Sequence, residues 1–424
     1  MMLPFIIGMG VMGAALFAVF GALALLAYQT AGLDSSLVIS ELARLASLPL
    51  LRALPMFALA GYVLAESKAS ERLLRVSRAA FGWLPGGLAL VAIVACSMLT
   101  AFTGASGVTI VALGGLLMPA LLAEGYRERF SLGLVTSGGN MGVLFVPSLP
   151  LILYAVIANP ISSEVTIDRL FLAALAPGLL SLAALALYSA FFGVFTHIPR
   201  LRFSVRELLA ASWAARWELP LPLVVLGGIY SGKLVVSEAA VITAAYTMIV
   251  EVLIYREIRL RDMARIIRDS MVLVGGVLLI LGMGMAITNY LVDQEAPMKI
   301  LEAVKTHIHN PLVFLLALNL FLLVVGCMMD IYTAIIVVVP LLAPMALEYG
   351  VHPIHLGVIF LANLAIGYST PPVGMNLFIA AIRFDKSILS LARASLPFLL
   401  ILLLVLAVIT YAPGLSLFMT KGGP

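Results

Sequence analysis

The chain has 424 residues, of which 63% are hydrophobic and 11% charged, and its mean hydropathy is +1.14. That balance excludes a water-soluble domain, and apolar runs long enough to cross a bilayer recur along the chain. The net charge of +4 does not point to nucleic acid, because the basic residues sit in short loops between apolar spans, where the positive-inside rule places them.

In chain order, Met1 to Tyr28 reads as a retained first helix rather than a signal peptide, since it lacks a basic leading segment and a small-residue cleavage site. Asp34 to Ser47 is amphipathic, so residues 1–46 form an N-terminal helix and a surface segment. Ser47 to Glu66 is a spanning helix, and the amphipathic Glu66 to Phe81 lies along the membrane or braces the spans. Cytoplasmic loops are marked by Lys68, Arg72, Arg75 and Arg78; by Arg200, Arg202, Arg206 and Arg216; by Arg256, Arg259, Arg261, Arg265 and Arg268; and by Arg383, Lys386 and Arg393. Loops 162–168, 231–238, 293–299 and 348–355 lack this excess and fall outside.

Residues 86–122 are of hairpin length and carry Arg on both flanks, which predicts a re-entrant hairpin turning at TGASG (Thr103 to Gly107). A broken helix over 130–160 and a span from Arg169 to Thr196 complete a first repeat, 47–196. A linker, 197–269, holds two bridging helices, Leu219 to Tyr230 and Ala239 to Tyr255. The second repeat, 270–412, has the same order: a span from Ser270 to Val292, a hairpin over 311–347, a broken helix over 355–382 and a span from Arg393 to Ala412, before a tail, 413–424. The second hairpin turns near CMMDIYT (Cys327 to Thr333), and its flanks are poor in Lys and Arg, so it enters from the opposite side. Pro119 and Pro344 are separated by the same interval as Gly125 and Gly350, and Gly133–Gly357 and Pro147–Pro371 share an interval one residue shorter. The predicted fold is an all-α polytopic membrane protein: inverted repeats with two re-entrant hairpins, two broken transmembrane helices and nine full crossings, N-terminus cytoplasmic and C-terminus periplasmic.

The two breaks, GLVTSGGNMGVLFVPSLP (Gly133 to Pro150) and GVIFLANLAIGYSTPPVG (Gly357 to Gly374), carry the chemistry. Helix breakers at membrane depth are tolerated where the freed backbone is buried in protein or lines a cavity, and a matched pair marks a transporter's binding site. Broken helices expose amide N–H groups at one end and carbonyls at the other, suited to an anionic substrate and a desolvated Na⁺ respectively. The candidate residues are Thr103, Gly104, Ser106 and Thr109 at the first tip, and Gly139, Asn140, Gly142, Pro147 and Ser148 at the first break. Asp330 and Thr333 stand at the second tip, and Asn363, Gly367, Ser369, Thr370, Pro371, Pro372, Gly374 and Asn376 at the second break. Ser and Thr in membrane helices also bond to preceding carbonyls, and the Gly and Pro residues shape backbone. Asp330 differs, because an ionisable group at membrane depth costs roughly 3 kcal/mol; it binds the cation or pins the tip. No arginine lies in either tip or break; Arg52 and Arg383 are at span edges.

Other chemistry is poorly supported. Gly104-Ala105-Ser106-Gly107 matches the G-x-S-G pattern of an intramembrane serine protease, but His197, His307, His309, His352 and His355 all fall in or beside loops. There is no HExxH motif and no P-loop, and Cys96 and Cys327 read as small buried hydrophobes.

The stretch DIYTAIIVVVPLLAPMALEYGVHPIHLGVIFLANLAIGYSTPPVGMNLF (Asp330 to Phe378), with PMFALAGYVL (Pro55 to Leu64), WLPGGLALV (Trp83 to Val91) and LAPGLL (Leu175 to Leu180), resembles the large membrane subunit of tripartite ATP-independent periplasmic (TRAP) transporters. The resemblance covers essentially the whole chain, and TPPVGMNLF is its most specific part. It implies an elevator-type secondary transporter of the ion-transporter superfamily in the bacterial inner membrane. Sodium is the coupling ion, with Asp330, Thr370, Asn140 and Ser106 as favoured ligands, and no cofactor is expected. It implies as partners a small four-helix membrane subunit, here a separate polypeptide, and a periplasmic substrate-binding protein that delivers an organic acid. A self-sufficient carboxylate carrier is the alternative. Where the family usually has Gly-Thr and then Pro-Pro-Ser at the first break, this chain has Gly139-Asn140 and Val146-Pro147-Ser148.

Overall fold

The computed structural model describes residues 6, 8, 14, 16–47, 53–104, 106–196, 203–230, 233–294, 296–371 and 373–420. Arg52, His197, Arg200, Arg202 and Pro372 lie outside the described residues, as do most of residues 1–15. The described chain is all-helical, without a strand. Among the described residues, seven helices are long and apolar enough to cross a membrane, or eight if one bent pair counts as a single span.

The first half comprises α1 (Leu16–Thr30), α2 (Ser36–Ser47), α3 (Ala53–Glu66), α4 (Ala69–Phe81), α5 (Gly87–Thr103), α6 (Ser106–Ala123), α7 (Glu128–Gly138), a 3-10 turn (Asn140–Leu144), α8 (Leu149–Ala158) and α9 (Ile167–Phe195). The linker carries α10 (Val205–Ala214), α11 (Pro220–Tyr230) and α12 (Val236–Met248), which runs into a π-helical turn (Ile249–Ile254). The second half comprises α13 (Leu260–Asp293), α14 (Ala296–His307), α15 (Pro311–Met328), α16 (Ile331–Glu348), α17 (Pro353–Gly367), α18 (Met375–Phe384), α19 (Ile388–Tyr411) and the short α20 (Pro413–Leu417).

Local sequence explains the helix starts. Asn310 accepts from the Leu312 amide with Pro311 at the first helical position, and His352 with Pro353 begins α17 the same way. Ser387 caps α19 by accepting from the Ser390 amide. The helix α13 starts ten residues before the apolar run that announces it. Its leading turns, LRDMARIIRD, are charged but rich in good helix formers, so the helix continues beyond the hydropathy signal.

The packing follows one scheme in both halves. Within each half the first hairpin arm lies on the first part of the interrupted helix, α5 on α7 and α15 on α17. Between halves the second hairpin arm lies on the other half's post-break helix, α6 on α18 and α16 on α8. The outer spans also cross over, α19 on α7 and α9 on α17. Tyr154, Phe171 and Phe360 are fully buried at this seam, and the Tyr154 hydroxyl donates to the Pro353 carbonyl at 3.2 Å. Lipid tails are as apolar as these side chains, so dispersion and hydrogen bonding hold the seam rather than transfer from water.

The amphipathic α4 docks on α5 and α10. Its Arg72, one of the basic loop markers, is the hub of a half-buried ion cluster with Glu218, Glu251 and Glu257, and its guanidinium lies 3.9 Å from the centre of the Tyr255 ring. Glu218 and Glu251 are almost wholly buried, so α4 is fixed to the linker as a brace.

Candidate functional site

Eight helix ends meet where the two breaks cross. The first hairpin turns at Gly104, whose φ of +69° suits a residue without Cβ, and α6 starts at Ser106. The first break bends the chain by 43° between the segment ending at Leu144 and α8, and the Val146–Pro147 peptide within it is cis. The second hairpin turns between Met328 and Ile331, and the second break lies between Gly367 and Met375. These ends touch. The Gly374 amide donates to the Cys327 carbonyl at 2.9 Å, the Ile331 amide donates to the Tyr368 hydroxyl, and the Tyr332 hydroxyl donates to the Gly104 carbonyl at 3.1 Å.

A buried chain of side chains runs through the crossing. Ser106 Oγ donates to Asn376 Oδ1 at 3.0 Å, Asn376 Nδ2 donates to Asn140 Oδ1 at 2.5 Å, and Asn140 Nδ2 donates to Ser369 Oγ at 2.8 Å. Ser369 Oγ passes on to the Thr136 carbonyl at 3.4 Å. All four side chains are at most 2% exposed. The chain thus joins the first tip, both breaks and the start of α18. Such a network is stable only when its members are mutually satisfied, because an orphaned polar group in this medium is costly. Beside it, Thr100 and Thr109 share a hydroxyl–hydroxyl bond of 2.7 Å, and a Cβ on Gly139 would lie 3.1 Å from Thr100 Oγ1. Gly142 and Gly367 are close approaches: a Cβ there would press on Ser97 O at 2.6 Å and on Gly326 Cα at 2.7 Å respectively.

The remaining candidates distribute as follows. Thr103 is buried in the last turn of α5. Ser148 Oγ donates to the Val143 carbonyl at 2.6 Å, and Thr370 Oγ1 to the Ile366 carbonyl at 2.9 Å, so both hydroxyls serve their own backbone. Asp330 caps α16, its Oδ1 accepting from the amides of Tyr332 at 3.1 Å and Thr333 at 2.9 Å. Asp330 Oδ2 has no bond among the described residues, and neither has the buried Thr333 hydroxyl. Asn363 is not brought to the crossing. It bonds Asn319 Oδ1 at 2.6 Å in a separate group with Thr410, between α15, α17 and α19. Pro371 is exposed in the linker of the second break. The four favoured ion ligands therefore form no single set: Ser106 and Asn140 meet through Asn376, while Asp330 stands at the second tip and Thr370 faces its own helix.

Both tips open onto a cavity of about 910 Å³. Its wall includes Gly104, Ser106 and Val108 from the first hairpin, Asp330 and Tyr332 from the second, Tyr368 and Met375 from the second break, and Val272, Gly276 and Ile280 of α13. The lining is mainly apolar with a few convergent polar groups, as ligand sites are. No Lys or Arg lines it among the described residues, and its other acid, Glu66, is paired with Arg265 at 2.7 Å.

Sequence reasoning missed Tyr332, Tyr368, Thr100 and Thr136. The two tyrosines had a usable signal, a hydroxyl-bearing aromatic inside an apolar segment and immediately beside a tip or a break, since a buried Tyr hydroxyl usually finds a partner. Ser106, the serine of the G-x-S-G pattern, is engaged by Asn376, and no histidine is among its bonding partners; His355 bonds Ser416 and Thr410 instead.

Comparison with known proteins agrees with this architecture. The chain is 34% identical over 368 residues to the C4-dicarboxylate TRAP transporter large permease protein DctM of Pseudomonas aeruginosa, a match covering 87% of this chain and 85% of that protein. It is 34% identical over 417 residues to the isethionate TRAP transporter permease protein DctMQ of Oleidesulfovibrio alaskensis, covering 95% of this chain and 65% of that longer protein. It is 31% identical over 371 residues to the ectoine/5-hydroxyectoine TRAP transporter large permease protein UehC of Ruegeria pomeroyi, covering 87% of this chain and 85% of that one. The crystal structure of the Alcanivorax borkumensis YdaH transporter superposes with a TM-score of 0.65 at 16% identity over 91% of this chain and 88% of that one, a likeness of fold alone. With residues 1–415 matching the family described as the tripartite ATP-independent periplasmic transporter, DctM component, the chain belongs to the large membrane subunits of the TRAP transporters.

Proposed function

We propose that this chain is the translocating subunit of a sodium-driven importer of an organic acid, working in the bacterial inner membrane with a small membrane subunit and a periplasmic binding protein. The observation that carries the reading is the buried chain Ser106–Asn376–Asn140–Ser369, which ties the first tip to both breaks beside a cavity. The family's tripartite description and relatives named for C4-dicarboxylates, isethionate and ectoine support the assignment to an organic acid.

The donor set suits an alkali cation as co-substrate. Helix-end carbonyls, the hydroxyls of Ser106 and Ser369 and the amide oxygens of Asn140 and Asn376 are hard oxygen ligands, and Asp330 Oδ2 adds a negative charge at the second tip. The substrate carboxylate meets no basic side chain in the cavity wall, so it is held by the amide N–H groups and positive dipole ends at the starts of α6 and α18. Sodium bound near Asp330 lowers the electrostatic cost of bringing an anion there, which couples the two.

The test is reconstitution into liposomes with an inward sodium gradient, with and without the purified small subunit and binding protein. Uptake that needs all three proteins and the gradient is the expected result. Uptake by this chain alone from free substrate would favour the self-sufficient carrier.

A further inference from the structure

At the ends of α7 and α18 away from the crossing, a second cavity of about 280 Å³ lies between the start of α7 and the turn from α18 to α19. Arg129, Lys386 and Arg393 line it against a single carboxylate, Glu128. Lys386 engages Glu128 at 2.7 Å, and Arg129 Nη2 donates to the Arg393 carbonyl at 3.0 Å. The Arg393 guanidinium has no protein partner among the described residues, so the pocket holds excess positive charge. The start of α19 adds its dipole, and Ser387 and Ser390 add hydroxyls.

What lies beside the pocket identifies its occupant. Leu389 forms part of the wall and is 61% exposed, and Leu396, Leu400 and Leu404 are 49%, 53% and 70% exposed. The spacing of 389, 393, 396, 400 and 404 puts Arg393 and these leucines on one face of α19. The basic pocket is therefore continuous with an apolar stripe about four turns long. A free anion would use the charges and ignore the stripe. A phospholipid uses both, with its phosphate on the arginines and its acyl chains along the leucines. A volume of about 280 Å³ admits a phosphate with a small polar substituent. Basic pockets at the ends of membrane helices bind anionic head groups in this way.

We propose that this pocket holds the phosphate of an anionic phospholipid, and that the lipid bridges the first half at α7 to the second half at the α18–α19 turn. A zwitterionic lipid brings its own cation into a site already rich in them, so phosphatidylglycerol binds in preference to phosphatidylcholine.

The test uses the intact chain in mild detergent, with thermal unfolding followed during titration with palmitoyl-oleoyl phosphatidylglycerol, the matching phosphatidylcholine, or inorganic phosphate. Phosphatidylglycerol should raise the midpoint by several degrees, while phosphatidylcholine and millimolar phosphate leave it unchanged. In Arg129→Gln/Arg393→Gln the phosphatidylglycerol shift should vanish, and Arg393→Lys alone should keep much of it. Native mass spectrometry of the wild-type chain, which needs no variant to fold, should show phosphatidylglycerol retained at least fivefold over phosphatidylcholine. Equal retention of the two lipids, an undiminished shift in the double variant, or stabilisation by phosphate equal to that by phosphatidylglycerol would each overturn the proposal.

Discussion

The bond between Asn140 and Asn376 joins one break directly to the other side of the crossing, and a double-mutant cycle measures it. Asn376→Ala removes two bonds, from Ser106 Oγ at 3.0 Å and to Asn140 Oδ1 at 2.5 Å, and leaves two buried polar atoms without partners. At about 1–3 kcal/mol for each orphaned group, the loss would be about 2–6 kcal/mol. Interhelical bonds inside membranes average only about 0.6 kcal/mol with a maximum near 1.7, because the orphaned groups find other partners. The lower scale applies here, so Asn376→Ala should cost about 1–3 kcal/mol over its two bonds. Asn140→Ala also breaks two bonds, to Asn376 and Ser369, and should cost a similar amount. The double variant loses the shared bond only once, so the coupling energy should be about 0.6–1.7 kcal/mol. Reversible unfolding of the four proteins in mixed micelles supplies the cycle. Additivity within about 0.4 kcal/mol would show that the two residues do not act as one unit and would refute the joined-break reading.

Other outcomes follow from the same geometry. Asp330→Asn keeps the cap on α16, since Asn caps as well as Asp, and should leave thermal stability unchanged while abolishing sodium-dependent uptake; full uptake would remove Asp330 from the ion's surroundings. Gly374 has φ +55°, and a Cβ there would meet the Thr370 carbonyl at 2.8 Å, so Gly374→Ala should impair transport and cost about 2 kcal/mol or more in unfolding assays. At Gly350, where φ is +75° but nothing lies within 4 Å, the same change should cost only about 1–2 kcal/mol and leave transport intact. Arg72→Ala removes the cation shared by Glu218, Glu251 and Glu257 and leaves the buried Glu251 carboxylate without a partner among the described residues, so it should destabilise the chain by about 3–5 kcal/mol, read as a lower yield of folded protein in the membrane.

The fold class was legible because the signals that announce it are large: composition, unbroken apolar runs, and glycine and proline where helices stop. Gly104 ends α5 and Gly374 precedes α18, both at positive φ, and only the residue type was needed to suspect a turn at each. The start of α13 was not legible from hydropathy, because its first turns leave the apolar region while remaining helical. Loop charge was an incomplete guide as well. Arg72 belongs to a basic cluster by sequence, yet its three acidic partners are remote in the chain, and only the fold brings them together. At the site, polarity inside an apolar break pointed to Asn140, Ser369 and Asn376, which the structure joins. It pointed equally to Asn363, which sits a full turn before the end of α17 and turns to Asn319 instead. Which asparagine reaches the crossing depends on helix phase and on the opposing helix, and residue type carries neither. Tyr332 and Tyr368 each carry a hydroxyl beside a tip or a break, which is a signal in the residue type, but the backbone group that hydroxyl meets is set by the fold alone.

Sodium coupling is tested most directly by imposing and then collapsing an inward sodium gradient in liposomes that contain the complete transporter and a saturating amount of loaded binding protein. An inward sodium gradient should drive accumulation of the organic acid above its external concentration, collapse of the gradient should stop it, and Asp330→Asn should show neither effect. Accumulation that proceeds at the same rate without a sodium gradient would contradict the account.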